Sequence, residues 1–223
     1  MFLVLEGLDS SGKKTQIDLL VDKIKTLGKP FERIDFPMYD TTMGKMVASY
    51  LRGELGKKEE LSPESAAMLY MLDRYQFRDR LQKMLDDGKI VIANRYTQSN
   101  LAFQGAKLSG TERWHFIKWM EDSESRLPQP TLVVYLDMPP EAAMQLAHGD
   151  RDYLPGKKYD IHEEDIAYQN EVRKVYLELA KRKGWLVVRC AEQTGKAWRI
   201  RPPQEIHEDL WKRVSTIIEW SDS

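Results

Sequence analysis

Five short stretches rich in β-branched, aromatic and other apolar residues punctuate the chain, at Phe2–Leu5, Phe31–Phe36, Ile90–Ala93, Leu132–Leu136 and Leu186–Arg189. Each reads as a strand, and the longer segments between them carry apolar positions at helical spacing. After the first strand, Ile17, Leu20, Val21, Ile24 and Leu27 fall on one helical face. Another helix is predicted from Ser62-Pro63-Glu64, a serine N-cap with proline in the first turn, carrying Met68, Met71, Leu72 and Tyr75 as its core stripe. Tyr70 and Arg74 lie four apart on a different face, where spacing alone reads more readily as a solvated surface arginine than as a functional one. Strands alternating with helices predict an α/β fold: a five-stranded parallel sheet flanked by helices, with right-handed crossovers and ligands at the carboxyl ends of the strands.

Composition narrows the picture. With 223 residues, 42% of them hydrophobic, and no linker-like stretch, residues 1–223 are expected to form one domain around one core. A net charge of −1 lacks the basic excess that a general grip on nucleic acid needs. The single cysteine, Cys190, allows no internal disulfide and reads as a small residue closing a buried strand. No apolar run nears a membrane span, and residues 1–30 hold a strand and a loop rather than a leader, so a soluble, cytoplasmic protein without a membrane partner is expected.

The densest chemistry follows the first strand, in Glu6-Gly7-Leu8-Asp9-Ser10-Ser11-Gly12-Lys13-Lys14-Thr15-Gln16. Gly7 and Gly12, five apart, let successive backbone N–H groups turn toward an anion, Lys13 can reach the outer phosphates, and the following helix adds its positive end. This is a phosphate-binding loop over residues 7–15. A hydroxyl residue usually follows the lysine to ligate magnesium; here that residue is Lys14, and Thr15 points about 100° away on a helix. Either the metal is held elsewhere or Lys14 supplies charge in its place.

Other polar and aromatic residues collect after the strands. Phe36-Pro37-Met38-Tyr39 follows the second, and Asn94-Arg95-Tyr96 through Gly105 follows the third, with Arg95 at the strand end as an expected ligand contact. Residues 148–160, rich in glycine and alternating charge, suggest a mobile basic flap in which Arg151, Lys157 and Lys158 could close over transferring phosphates. His162-Glu163-Glu164-Asp165 reads as the acidic first turn of a long helix ending near Lys183, not as a zinc site, with Glu163 able to hold magnesium through water. Glu192 to Pro203, containing Trp198, Arg199 and Arg201, reads as a surface hairpin or loop on the sheet edge.

Taken together, these motifs resemble the thymidylate kinases over nearly the whole chain. The resemblance rests on the loop at 6–16, Phe36-Pro37, Asp73-Arg74, Arg95-Tyr96 with Ser99-Asn100 and Gln104-Gly105, Pro128-x-Pro130 and the basic flap. It implies a P-loop kinase three-layer fold that transfers the γ-phosphoryl of ATP to dTMP, with Mg2+ as cofactor. In that reading Gly7, Leu8, Asp9, Ser10, Ser11, Gly12, Lys13, Lys14 and Thr15 hold ATP. Tyr70 stacks on thymine, Arg74 bonds its carbonyl, Asn100 meets the pyrimidine edge and Arg95 holds the acceptor phosphate. Phe103 walls the 2′ side of the sugar, and Phe36, Tyr39 and Gln104 complete the acceptor set. Asp9 meets the 3′-hydroxyl or, through water, the metal, which Glu163 shares. Because Ser10 occupies the loop position where some members carry a basic residue, Arg151 is implied as the transition-state cation beside Lys13, Asp9 and Arg95, with Lys157 or Lys158 as alternatives. Lys14, Asn94 in place of the usual aspartate, and Met38-Tyr39 without a second arginine clamp depart from the pattern. Another pyrimidine monophosphate kinase, or a non-catalytic nucleotide-binding protein, are the alternatives. A homodimer through the helices after the second and third strands is also implied.

Overall fold

A computed structural model of the protein describes residues 1–56, 61–146, 165–195 and 197–220. Five parallel strands, β1 (Phe2–Gly7), β2 (Phe31–Asp35), β3 (Ile90–Asn94), β4 (Leu132–Asp137) and β5 (Leu186–Arg189), form one sheet in the order β2-β3-β1-β4-β5. These are the five strands legible in the sequence, each within two residues of its expected ends. Alternation of side chains along β1 explains why both faces must be covered: Leu3 and Leu5 enter one apolar cluster, Phe2 and Val4 another.

On the first face lie α1 (Lys13–Thr26), α7 (Pro140–Leu146) and α9 (Pro203–Trp220), whose Ile17, Leu20, Ala142, Leu210 and Val214 pack on Leu3, Leu5, Ile92 and Val134. Val21 of the expected helical face is only partly buried, and Leu27 sits beyond the helix, 49% exposed. On the other face lie α4 (Arg78–Asp86), α5 (Thr97–Gly105), α6 (Gly110–Ser123) and α8 (Ile166–Lys183), while α2 (Thr42–Leu51) and α3 (Pro63–Tyr75) pack on each other beside α5.

The stripe expected on α3 is corrected. Met71 is buried, but Met68 and Leu72 are 50% and 48% exposed, and the helix instead buries Ala66, Ala67, Asp73 and Arg74. Small residues let α3 approach α2 closely, and the two charged residues are accepted because each has partners inside. Ser62 caps α3 as expected, accepting from Ser65 N–H at 3.2 Å. Asp165 likewise caps α8, accepting from Tyr168 N–H at 2.9 Å. After β5, the segment read as a surface hairpin forms one, β6 (Ala191–Thr194) paired antiparallel with β7 (Ala197–Ile200). Cys190, between β5 and β6, is buried, with its thiol pushed up to about 12 by desolvation. Among the described residues no helix is long and apolar enough to cross a membrane. The flap at 148–160 and Glu163 lie outside the described residues.

Candidate active site

The loop between β1 and α1 is shaped by its glycines. Gly7 lies at φ 155°, where an added Cβ would come within 2.5 Å of Ser11 Oγ and 3.0 Å of the Leu136 carbonyl, and Gly12, at φ 89°, starts α1. Lys13 is buried, and its Nζ donates to the carbonyls of Leu8 at 2.7 Å and Gly7 at 3.1 Å, so the ammonium lies over the loop at the positive end of a fourteen-residue helix. Lys14 points away to an exposed i,i+4 pair with Asp18 at 2.9 Å, and Thr15 is exposed. The same Asp18 accepts from Arg33 at 2.7 Å, which pairs with Asp35 at 3.1 Å, which in turn accepts from Asn94 Nδ2 at 2.8 Å.

Arg95 follows β3 at the sheet's switch point, beside the loop. Its backbone is left-handed, φ 65°, held by donation of its N–H to the Leu5 carbonyl at 2.9 Å. A non-glycine residue there costs on the order of 1–3 kcal/mol, so the surrounding structure enforces it. The guanidinium donates to Asp9 at 2.8 Å and Ser99 Oγ at 3.1 Å, and lies 5.3 Å over the Phe103 ring. Burial alone would lower its pKa; the carboxylate of Asp9, with Glu6 behind, outweighs that and holds it well above the ordinary value.

Arg95 and Asp9 form one end of a cavity whose walls include Tyr39, Tyr70, Asn100, Phe103 and Gln104. Tyr39 comes from the loop after β2, Tyr70 from α3, and the last three from α5. Asn100 Nδ2 donates to the Ala67 carbonyl at 3.2 Å while its Oδ1 has no partner, and neither amide atom of the fully buried Gln104 has one among the described residues. Buried amides without partners are costly, and a ligand edge with both donors and acceptors would satisfy these.

Two expected contacts lie behind the wall. Phe36 is buried edge-on to Phe77, with ring centroids 6.0 Å apart, and against Tyr96 at 5.6 Å. Arg74 is 3% exposed and donates through Nε to Glu124 at 2.6 Å. Its neighbour Asp73 accepts from the Met38 N–H at 3.1 Å and from Gln76 at 3.0 Å, fixing the loop that carries Tyr39. Burial raises the Asp73 pKa above its ordinary value. That loop is also pressed from below, because a Cβ on Gly44 would fall 1.8 Å from the Met38 carbonyl. Arg151 and Glu163 lie outside the described residues.

Sequence reasoning quoted Glu6, Asp73 and Ser99 only as motif residues, without a role, and did not single out Glu124. Glu6 is fully buried at the end of β1, and its Oε1 accepts from the N–H groups of Tyr96 and Ser99 at 2.8 and 3.2 Å. Its Oε2 accepts from Ser99 Oγ at 2.6 Å and Tyr176 OH at 2.8 Å. The N-terminal turn of α5 has no side-chain cap of its own, and Glu6 supplies one from another strand. Burial beside this carboxylate raises the Tyr176 phenol well above its usual value. The signal available in the sequence was a glutamate ending an apolar strand, a position that a buried charge occupies only with partners.

A sequence model described as "Thymidylate kinase" matches residues 5–198, most of the chain and every element that lines the cavity. The chain belongs to the thymidylate kinase family. A thymidylate kinase from Arabidopsis thaliana is 32% identical over 217 residues, covering 97% of this chain and 70% of that protein. The human thymidylate kinase is 28% identical over 211 residues, 93% of this chain and 86% of that one. A solved thymidylate kinase from Candida albicans superposes with a TM-score of 0.72 at 23% identity, covering 96% of this chain and 91% of the other, and shares the fold.

Proposed function

We propose that the protein transfers the γ-phosphoryl group of ATP to dTMP, giving ADP and dTDP. The observation that carries this reading is the meeting of the glycine loop with a cavity that has a cation at one end and unpartnered amides in its wall. The loop from Gly7 to Thr15 and the α1 N-terminus bind the ATP phosphates. Arg95, fixed by Asp9 and Ser99, holds the acceptor phosphate, and Asn100 and Gln104 read the pyrimidine, with Tyr70 as its aromatic wall and Phe103 beside the sugar. Tyr39 closes the cavity from the β2 side, and Phe36 supports the wall from behind. Lys13 must leave the loop carbonyls and turn to the transferring phosphoryl, where positioning and charge do the catalysis.

Magnesium fits this site with few protein ligands. Asp9 is the carboxylate at the loop, and Glu163, which lies outside the described residues, is the second expected donor, through water. Mg2+ keeps several waters and takes only one or two protein oxygens beside the phosphates, so this donor set is sufficient. When bound, the ion would neutralise charge on the phosphates.

Arg151, or failing it Lys157 or Lys158, is assigned the charge of the transition state. Arg151→Ala lowers turnover on the order of a hundredfold with little change in dTMP affinity; unchanged turnover removes it from the role. The deciding experiment is ADP release from MgATP against dTMP, dUMP, dCMP, UMP, AMP and dGMP. Preference for dTMP supports the reading, and no turnover with any acceptor, despite ATP binding, makes the protein a non-catalytic binder. A homodimer through the helices after β2 and β3 would cover the exposed Met46, Met68 and Leu72, at 41%, 50% and 48%; light scattering measures it.

A further inference from the structure

Phe103 stands on the wall of the acceptor cavity one helical turn past Asn100, with the Arg95 guanidinium 5.3 Å from its ring centre. A nucleotide whose phosphate meets Arg95 and whose base meets Asn100 lays its sugar against that ring. What fixes the ring comes from another helix. Tyr168, in the first turn of α8 and 7% exposed, holds Phe103 twice. Its hydroxyl donates to the Phe103 carbonyl at 2.5 Å, and its ring meets the Phe103 ring edge-on, with centroids 6.5 Å apart. Tyr176, about two turns further along α8, adds a second edge contact at 6.2 Å. Arg113 of α6 anchors the same junction, donating to the Gly105 carbonyl at 3.0 Å and to Glu171 of α8 at 2.6 Å.

A wall excludes an added hydroxyl only if it cannot give way, and a phenyl ring gives way either by turning about its side-chain bonds or by moving with its backbone. Tyr168 opposes both, the first with its ring and the second with its hydroxyl. The backbone there needs holding, because the last turn of α5 tightens: the N–H of Lys107 goes to the Gln104 carbonyl at 3.1 Å and that of Leu108 to the Gly105 carbonyl at 3.2 Å. We propose that Tyr168 is a positioning residue that sets the discrimination between deoxyribonucleotide and ribonucleotide acceptors by fixing Phe103 against the 2′ side of the sugar. Tyr168 is not among the residues lining the cavity, so it acts through Phe103 and does not touch the acceptor. The inference deepens the dTMP reading and rests on it.

The test is steady-state kinetics with dTMP and with ribothymidine 5′-monophosphate, which differs from it only by the 2′-hydroxyl. Tyr168→Phe keeps the ring and loses the bond to the carbonyl. In that variant, shown to be folded by its melting curve, the ratio of kcat/KM for the deoxyribonucleotide over the ribonucleotide is expected to fall about threefold or more, most of it through a lower KM for the ribonucleotide. A residue that only supports the fold would lower both values alike and leave the ratio where it was. Phe103→Ala is expected to lose the discrimination outright, and adding Tyr168→Phe to it to change the ratio no further. An unchanged ratio in Tyr168→Phe, or an effect that persists undiminished beside Phe103→Ala, overturns the proposal. A wild type that uses both nucleotides equally overturns it while leaving the kinase reading in place, and a wild type that uses neither refutes that reading and this inference with it.

Discussion

Replacing Glu6 by glutamine removes one charge and almost no volume, so it isolates what the buried carboxylate does. The amide oxygen can keep the two backbone N–H donors of Tyr96 and Ser99, leaving the amide nitrogen against Ser99 Oγ and Tyr176 OH, which now have to turn and accept. Bonds to a charged group contribute about 1.5–3 kcal/mol each, roughly twice a neutral one, so two downgraded bonds cost about 2 kcal/mol. For a chain of this length that is a fall in Tm of about 4–8 °C. Ser99 also holds Arg95, whose guanidinium must aim at the acceptor phosphate, and α5 carries Asn100, Phe103 and Gln104. A further loss of about tenfold or more in kcat/KM for dTMP is therefore expected, because a small misplacement of a clamp is amplified at the reacting atoms. Thermal melts and steady-state kinetics of Glu6→Gln beside Ser99→Ala measure both. A variant that melts within about 1 °C of the wild type at full activity would refute the idea that this carboxylate organises the site.

Asn94 donates to Asp35 at 2.8 Å, so Asn94→Asp sets one carboxylate against another; a lower Tm in EDTA, restored by Mg2+ more than in the wild type, is expected, and an unchanged Tm counts against a metal-facing role. Arg74→Met strands the buried Glu124 charge and should cost about 3–5 kcal/mol in urea melts, most of it recovered in Arg74→Met/Glu124→Leu; a double variant no more stable than the single one would refute that reading. His207 on α9 is buried with neither ring nitrogen bonded among the described residues, and desolvation, with Lys23 nearby, lowers its pKa below the ordinary 6.5. As pH falls through that value the unfolded chain gains a proton that the folded one resists, so stability drops from pH 7.5 to 5.5; His207→Phe should flatten the slope, and an identical slope would point to other groups.

The strands were readable because each is a short, locally coded run, and the loop because its glycines and lysine act within a few residues of one another. What escaped is long-range. Glu6 meets partners in α5 and α8, and Glu124 reaches back fifty positions to Arg74, so no local pattern announces either. Met68 and Leu72 were misread for a related reason: helical spacing reports an apolar face, not what covers it. Arg74 shows the converse, since its spacing favoured a solvated surface arginine and only the fold shows it buried. The hairpin of β6 and β7 was recognisable as an edge segment, but its cross-strand pair of Glu192 and Arg199, 2.5 Å apart, is too weak a signal to fix a register.

The sheet order has a consequence for how the protein is made. β1 is synthesised first, yet its neighbours in the sheet are β3 and β4, so Phe2–Leu5 leaves the ribosome with nothing to pair against until Asn94 has followed, and with one edge open until Asp137 has. At about 5–20 residues per second, that is a wait on the order of ten seconds for a strand buried along its whole length. The glycine loop hangs from that strand and cannot take up its phosphate-binding shape earlier. Nascent chains halted before β4 are therefore expected to bind chaperones through their N-terminus, and those released after it to bury the same segment from protease.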